Sequence, residues 1–139
     1  MKSFVIDASI AVKWVVEEEG TPEALALRAH AKLIAPDLLV AEFANVAWKY
    51  VRRGDATAAH AREALNALLR LRLQLHASSV VMPRAFDIAY ETGRTAYDSI
   101  YLALAQVQGC QLVTADRRFY DAMQGTAYEE TMRWVEDVR

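Results

Sequence analysis

Phe4-Val5-Ile6-Asp7-Ala8-Ser9 is the stretch on which the reading of this chain turns. A short apolar run containing β-branched residues reads as a buried strand. It ends on an acid, and from Ala8 to about Glu18 the pattern reads as a helix. The same order returns near the other end. Gln111-Leu112-Val113-Thr114 reads as a strand, and Asp116 opens a helix to about Gln124. In open α/β sheets, sites form beyond the carboxyl ends of the strands. Asp7 directly follows its strand and Asp116 lies just past Thr114, so neighbouring strands would bring the two carboxylates together.

The chain between these two stretches fills in the alternation. Gly20-Thr21-Pro22 breaks the first helix, and Pro22 suits the first turn of the next, which runs to about Lys32. Leu33-Ile34-Ala35 is a second short strand, closed by Pro36. Asp37 opens a long helix to about Arg53, with Leu39, Phe43, Val46 and Tyr50 at helical spacing. Gly54 ends it, Asp55 is the expected N-cap of a helix over 56–73, and Leu75 to Ser78 reads as a third strand. Helices follow over Val80 to Glu91, ended by Gly93, and Thr95 to Gln108, ended by Gly109. Met132 to Val135 reads as a short closing strand. Strands alternating with helices predict an α/β fold on a mainly parallel sheet.

At 139 residues the chain has the size of one domain, so a single domain over 1–139 is expected. A hydrophobic content of 54% with 24% charged residues excludes a disordered chain. The only cysteine, Cys110, has no partner for an intrachain disulfide and reads as a small buried hydrophobe, in keeping with a reducing cytoplasm. Asp7 and Lys13 interrupt any signal-peptide core, and no apolar run approaches the roughly 18 residues that cross a bilayer. A cytoplasmic protein without a membrane partner is expected.

The net charge of −2, from 16 Lys+Arg against 18 Asp+Glu, is not the basic footprint of a typical nucleic-acid binder. Two features offset it. Cations filling an acidic site would raise the local potential, and arginines are grouped as Arg52-Arg53, Arg70 with Arg72, and Arg117-Arg118.

Taken singly, three of the acids have a purely structural explanation. Asp7 and Asp116 each precede a helix and can cap it. Thr95-Ala96-Tyr97-Asp98 has the form of a capping box, with Asp where Glu or Gln is preferred. Glu42 differs, because it lies inside a helix beyond the first turn. With Asn45 and Lys49 it forms a stripe beside the apolar one, for which a solvated face is the alternative. Taken together, the four suit convergence at one sheet edge, where several like charges need compensation. His30, His60 and His76 have no metal-ligand spacing, so the oxygen-only set points to Mg²⁺ or Mn²⁺ rather than zinc.

Four segments then stand in a familiar order: Val5-Ile6-Asp7-Ala8-Ser9; Glu42 with Asn45; Thr95-Ala96-Tyr97-Asp98-Ser99-Ile100-Tyr101-Leu102-Ala103-Leu104-Ala105; and Leu112-Val113-Thr114-Ala115-Asp116-Arg117-Arg118-Phe119. They resemble the PIN-domain nucleases, and among these the VapC-type toxins of toxin–antitoxin pairs, over nearly the whole chain. The resemblance implies a three-layer α/β/α sandwich with a mainly parallel sheet of about five strands. It also implies Mg²⁺- or Mn²⁺-dependent endonucleolytic cleavage of RNA that arrests translation and growth. Asp7, Glu42, Asp98 and Asp116 match the family's acidic quartet, and Ser9, Asn45 and Thr114 its supporting polar positions. A homodimer is implied, as is a cognate antitoxin whose tail places a basic side chain in the acidic site.

On that basis Asp7 and Asp98 are expected to hold the main ion, with Asp116 and Glu42 completing the set and Asn45, Thr114 and Ser9 orienting the carboxylates. Lys13, Lys49, Arg117 and Arg118 are candidate phosphate contacts. Trp14, Trp48 and Tyr97 are candidates for base stacking, with core or interface packing as the alternative. Two other functions are weighed. A haloacid-dehalogenase-like phosphatase also starts from an Asp after the first strand, but needs a second Asp where this chain has Ser9. A non-catalytic module would use the acids as caps and as a docking face for a basic partner.

Overall fold

In the computed structural model, which describes residues 1–138, the quoted run Phe4-Val5-Ile6 is the centre of the molecule. The strands are β1 (Ser3–Ile6), β2 (Lys32–Pro36), β3 (Gln74–His76), β4 (Gln111–Thr114) and β5 (Met132–Trp134). They form one sheet in the order β3-β2-β1-β4-β5, parallel throughout. Val5 pairs with Ile34 on one side and with Leu112 on the other. Successive strand residues point to opposite faces. Phe4, Val5 and Ile6 are all buried, so helices cover both faces of the sheet, as an all-parallel sheet requires. Each such side chain contributes roughly 1.5–3 kcal/mol when fully buried.

The helices are α1 (Ala8–Lys13), α2 (Thr21–His30), α3 (Leu38–Arg52), α4 (Ala58–Arg70), α5 (Ser78–Thr92), α6 (Ala96–Gln108) and α7 (Arg117–Met123). α6 lies against β1, β2 and β4 and is buried without a break from Ser99 to Ala105. α1 packs on β1 and β4, α3 on α1 and β2, and α7 on β4 and β5. Gly93 and Gly109 end α5 and α6 in left-handed conformations, φ 75° and 65°, which glycine adopts without steric penalty. None of the described helices is long and apolar enough to cross a membrane.

Three local expectations need correction. The first helix ends at Lys13 rather than near Glu18. The Thr21 hydroxyl accepts from Glu18 N–H and donates to the Val16 carbonyl, folding the Glu17-Glu18-Glu19 run into a turn. The fourth helix starts at Ala58 and is capped by Thr57, whose hydroxyl oxygen accepts from His60 N–H at 3.1 Å; Asp55 instead pairs with Arg53 at 3.3 Å. Ser78, expected at the end of a strand, is the first residue of α5. Its hydroxyl accepts from Leu38 N–H at 3.2 Å, while the Asp37 carboxylate accepts from Ser78 N–H and hydroxyl at 3.0 and 2.6 Å. Asp37 therefore caps the helix after β3, and Ser78 caps the helix after β2.

Candidate metal centre

From β1 the chain moves outward through β2 to β3, then returns to the far side of β1 for β4 and β5. The direction reverses between β1 and β4, and at such a switch point the connections diverge and leave a crevice at the carboxyl ends. Asp7 and Asp116 stand there as the N-caps of α1 and α7.

Asp7 is buried, at 7% exposure. Its Oδ1 accepts from Ser9 N–H at 3.1 Å and from the Ser9 hydroxyl, and its Oδ2 accepts from the Thr114 hydroxyl at 2.5 Å. Both hydroxyls are themselves positioned by the chain after β4. Ala115 N–H donates to Ser9 Oγ at 2.9 Å, and Asp116 N–H donates to Thr114 Oγ1 at 3.0 Å. Burial raises the Asp7 pKa to about 7; the Ser9 and Thr114 hydrogen bonds oppose it, and the charges of Asp116 and Asp98 add to it. A carboxylate so placed is held rigidly and lacks a positive partner.

The other three acids are more open. Asp116 is exposed, and its Oδ1 accepts from Phe119 N–H at 3.2 Å. Asp98 makes only half of the expected capping box. Its N–H donates to Thr95 Oγ1 at 3.1 Å, but its carboxylate turns to Arg94, whose Nη2 donates to Oδ2 at 2.9 Å. Burial raises the Asp98 pKa, the Arg94 hydrogen bond and charge lower it, and Asp116 raises it. Glu42 is half-buried on α3, and its Oε1 accepts from the Tyr101 hydroxyl at 2.5 Å. Burial raises its pKa, Tyr101 lowers it, and the charge of Asp98 raises it. The repulsions run from Glu42 to Asp98, from Asp98 to Asp116, and from both of the latter to Asp7, so the four carboxylates share one field.

Among the described residues no three His, Cys, Asp or Glu side chains close into a ready-made cage. The donor set is oxygen-only, mutually repelling and open on the Asp116 side. It fits a hard cation that keeps several waters and takes one or two carboxylates directly, and it does not fit tetrahedral zinc.

The supporting residues divide. Ser9 and Thr114 contact Asp7 directly. Asn45 is exposed, and no hydrogen bond joins it to a carboxylate among the described residues. Lys13 is drawn to Glu18 at 3.0 Å and to the Glu19 carbonyl at 2.6 Å. Arg117 stacks 3.7 Å from the Trp134 ring centroid and pairs with Asp121 at 3.6 Å. Lys49 and Arg118 are exposed. Trp14 is a packing residue, its Nε1 donating to the Ala24 carbonyl at 2.9 Å, whereas Trp48 and Tyr97 are 53% and 60% exposed. Arg94 and Tyr101 were not anticipated. For Arg94 the spacing of four residues before Asp98 was the available signal, whereas Tyr101 reaches Glu42 across 59 residues and had none.

Ser9 stands where a haloacid-dehalogenase-like phosphatase needs its second acid, and its hydroxyl is committed to Asp7. Comparison with known proteins agrees with the motif order instead. The PIN domain model matches residues 4–123. Ribonuclease VapC3 of Pyrobaculum aerophilum is 37% identical over 117 residues, covering 82% of this chain and 89% of that protein. The crystal structure of PAE2754 from the same organism superposes with a TM-score of 0.70 at 25% identity, over 97% of this chain and 85% of that one. A toxin–antitoxin complex from Klebsiella pneumoniae gives a TM-score of 0.64 at 16% identity, over 97% and 99%, a likeness of fold. With its parallel α/β/α sandwich and its acids at the switch point, the chain belongs to the PIN domain family.

Proposed function

We propose that this protein is a divalent-metal-dependent endoribonuclease, the toxin of a toxin–antitoxin pair, in which Asp7, Glu42, Asp98 and Asp116 hold Mg²⁺ or Mn²⁺. Its partners are RNA as substrate and a cognate antitoxin that restrains it, and it acts as a homodimer. The observation that carries the reading is Asp7. It is an acid buried at the β1–β4 switch point, held by Ser9 and Thr114, facing two further carboxylates and pushed up to about 7. An arrangement that disfavours its own charged form costs stability, and a cation explains it better than capping does. Family membership and the ribonuclease name of the VapC3 relative support the choice of RNA.

Asp7, Glu42, Asp98 and Asp116 would hold the divalent cation, whose chemistry there would be charge stabilisation at a phosphodiester and acidification of water. The chain supplies the rest. Ser9 and Thr114 donate to Asp7 and so aim its lone pairs. The Tyr101 hydroxyl fixes Glu42 across the crevice from α6. The N-termini of α6 and α7 direct Asp98 and Asp116 to the same opening and present partial positive charge to a phosphate. Of the four candidate cations, Lys49 and Arg118 are exposed and form no ion pair among the described residues, and they are the ones we assign to flanking phosphates.

The test is cleavage of RNA by the purified protein freed of its antitoxin. Activity should vanish with EDTA, return with Mg²⁺ or Mn²⁺, and be lost in Asp7→Asn and Asp98→Asn. Cleavage that survives both EDTA and these substitutions would end the metal reading.

A further inference from the structure

The acidic crevice already contains a cation of its own. Arg94 follows the Gly93 turn at the end of α5, and its Nη2 lies 2.9 Å from Asp98 Oδ2. Its guanidinium carbon lies 5.5 Å from the centroid of the Phe119 ring. Phe119 belongs to α7, and its N–H donates to Asp116. One side chain thus spans the beginnings of the two helices that carry Asp98 and Asp116. Its side chain is 28% exposed, so it lies at the crevice rather than outside it. Its Nε is buried with no hydrogen-bond partner among the described residues. A buried donor left unpaired carries a desolvation cost. The contact with Asp98 is therefore made by Nη2 while the Nε–H, one of the group's five donors, is left buried and unpaired.

We propose that Arg94 is an internal stand-in for the divalent cation: it neutralises Asp98 in the metal-free protein, competes with the metal for that carboxylate, and on displacement offers its guanidinium to the RNA phosphate at the site. The inference rests on the metal reading of the same acids. The Arg94 charge outweighs the repulsion from Asp116 but not the cost of burying Asp98, and a divalent ion on the same oxygens supplies twice the charge while repelling the guanidinium. The planar fork of arginine matches a phosphate in two-point contact, so the displaced group has a better partner as soon as substrate arrives. Loss of the charge should then move two measurements in opposite directions, with metal binding tighter and cleavage slower. A residue that merely braced α6 would weaken both.

The experiment titrates Mn²⁺ by calorimetry into the full-length, metal-free protein, wild type against Arg94→Met, with RNA cleavage as the second readout and thermal melting as a check of folding. Arg94→Met should bind Mn²⁺ about 3- to 30-fold more tightly, the range a nearby unit charge gives at an intermediate effective dielectric. Its cleavage rate should fall about 100- to 1,000-fold through the lost phosphate contact. Arg94→Gln, which keeps a hydrogen bond to Asp98 without the charge, carries the same expectation if Arg94→Met does not fold. Arg94→Lys should keep the wild-type Mn²⁺ affinity. Unchanged or weaker Mn²⁺ binding in the neutral variants overturns the inference and leaves the metal reading intact. Absence of Mn²⁺ uptake by wild type and variants alike, all folded, overturns both.

Discussion

Asp7 and Asp37 are the same device set in two places. Each directly follows a strand of the parallel sheet and precedes a helix, and each accepts both the N–H and the hydroxyl of one serine. Their electrostatics differ in sign. The Ser78 hydroxyl and N–H hold the exposed Asp37 below the usual carboxylate range, whereas burial pushes Asp7 up to about 7. Asp37 sits where β2 and β3 feed helices that cap one another, with water beside it and no other acid contributing to its shift. Asp7 sits at the chain reversal between β1 and β4, beneath Asp98 and Asp116. An aspartate at a strand's carboxyl end is thus a strut by default. It becomes a candidate for chemistry when the fold removes its water and brings like charges to it.

Catalysis should separate the two most strongly. Asp7→Asn should abolish RNA cleavage, by more than the ~10- to 100-fold typical of residues lying behind metal ligands, while Asp37→Asn leaves cleavage unchanged. Equal losses in both, measured as initial rates at saturating Mn²⁺, would erase the distinction.

Stability against pH should separate them next, in EDTA. The folded-state pKa of Asp7 lies above the ordinary carboxylate value of 3.8, so the native state holds the proton more tightly than the unfolded chain does. The favourable contribution is complete below pH 4 and is lost as pH rises towards 7, at about 1.4 kcal/mol per unit of pKa difference. Melting temperature should fall over that window, and Asp7→Asn should flatten the fall and match or exceed the wild type at pH 8. Asp37 has the opposite sign. Its folded pKa is depressed, so its contribution is present above pH 4 and is lost as pH drops further. A wild-type melting curve flat between pH 4 and 7 would mean that Asp7 does not carry the burden assigned to it.

The smallest effect tests the strut. Ser78→Ala removes donor and acceptor from the mutual caps of α3 and α5 and should cost about 1 kcal/mol, read as a lower urea midpoint at pH 7 with normal cleavage. A loss of cleavage without a loss of stability would place Ser78 in the site after all.

The strands and the two glycine stops were legible because each is a local signal. Phe4-Val5-Ile6 and Gln111-Leu112-Val113-Thr114 are apolar enough to require burial, and Gly93 and Gly109 take backbone angles that disfavour other residues. The end of α1 and the caps of α3, α4 and α5 were less so. Thr21 holds its turn from five residues beyond Val16, and Ser78 reaches Asp37 from 41 residues away. In the crevice the acids themselves were legible through their motif order, and Asp98 also as a cap. That its carboxylate would leave the cap for Arg94 was not, because the cap at three residues and the ion pair at four are both within reach of the same side chain.

By itself, the sequence determined the alternation of strand and helix, the parallel sheet and the family, since these follow from hydrophobic period, helix stops and the order of short motifs. Only the tertiary structure decided which aspartates are struts and which face one another. That choice depends on the strand order β3-β2-β1-β4-β5, which places Thr114 against Asp7 across 107 residues and leaves Asp37 between β2 and β3, away from the switch point. Charge repulsion and desolvation act through space, over a few Å, and are set only once the chain has closed.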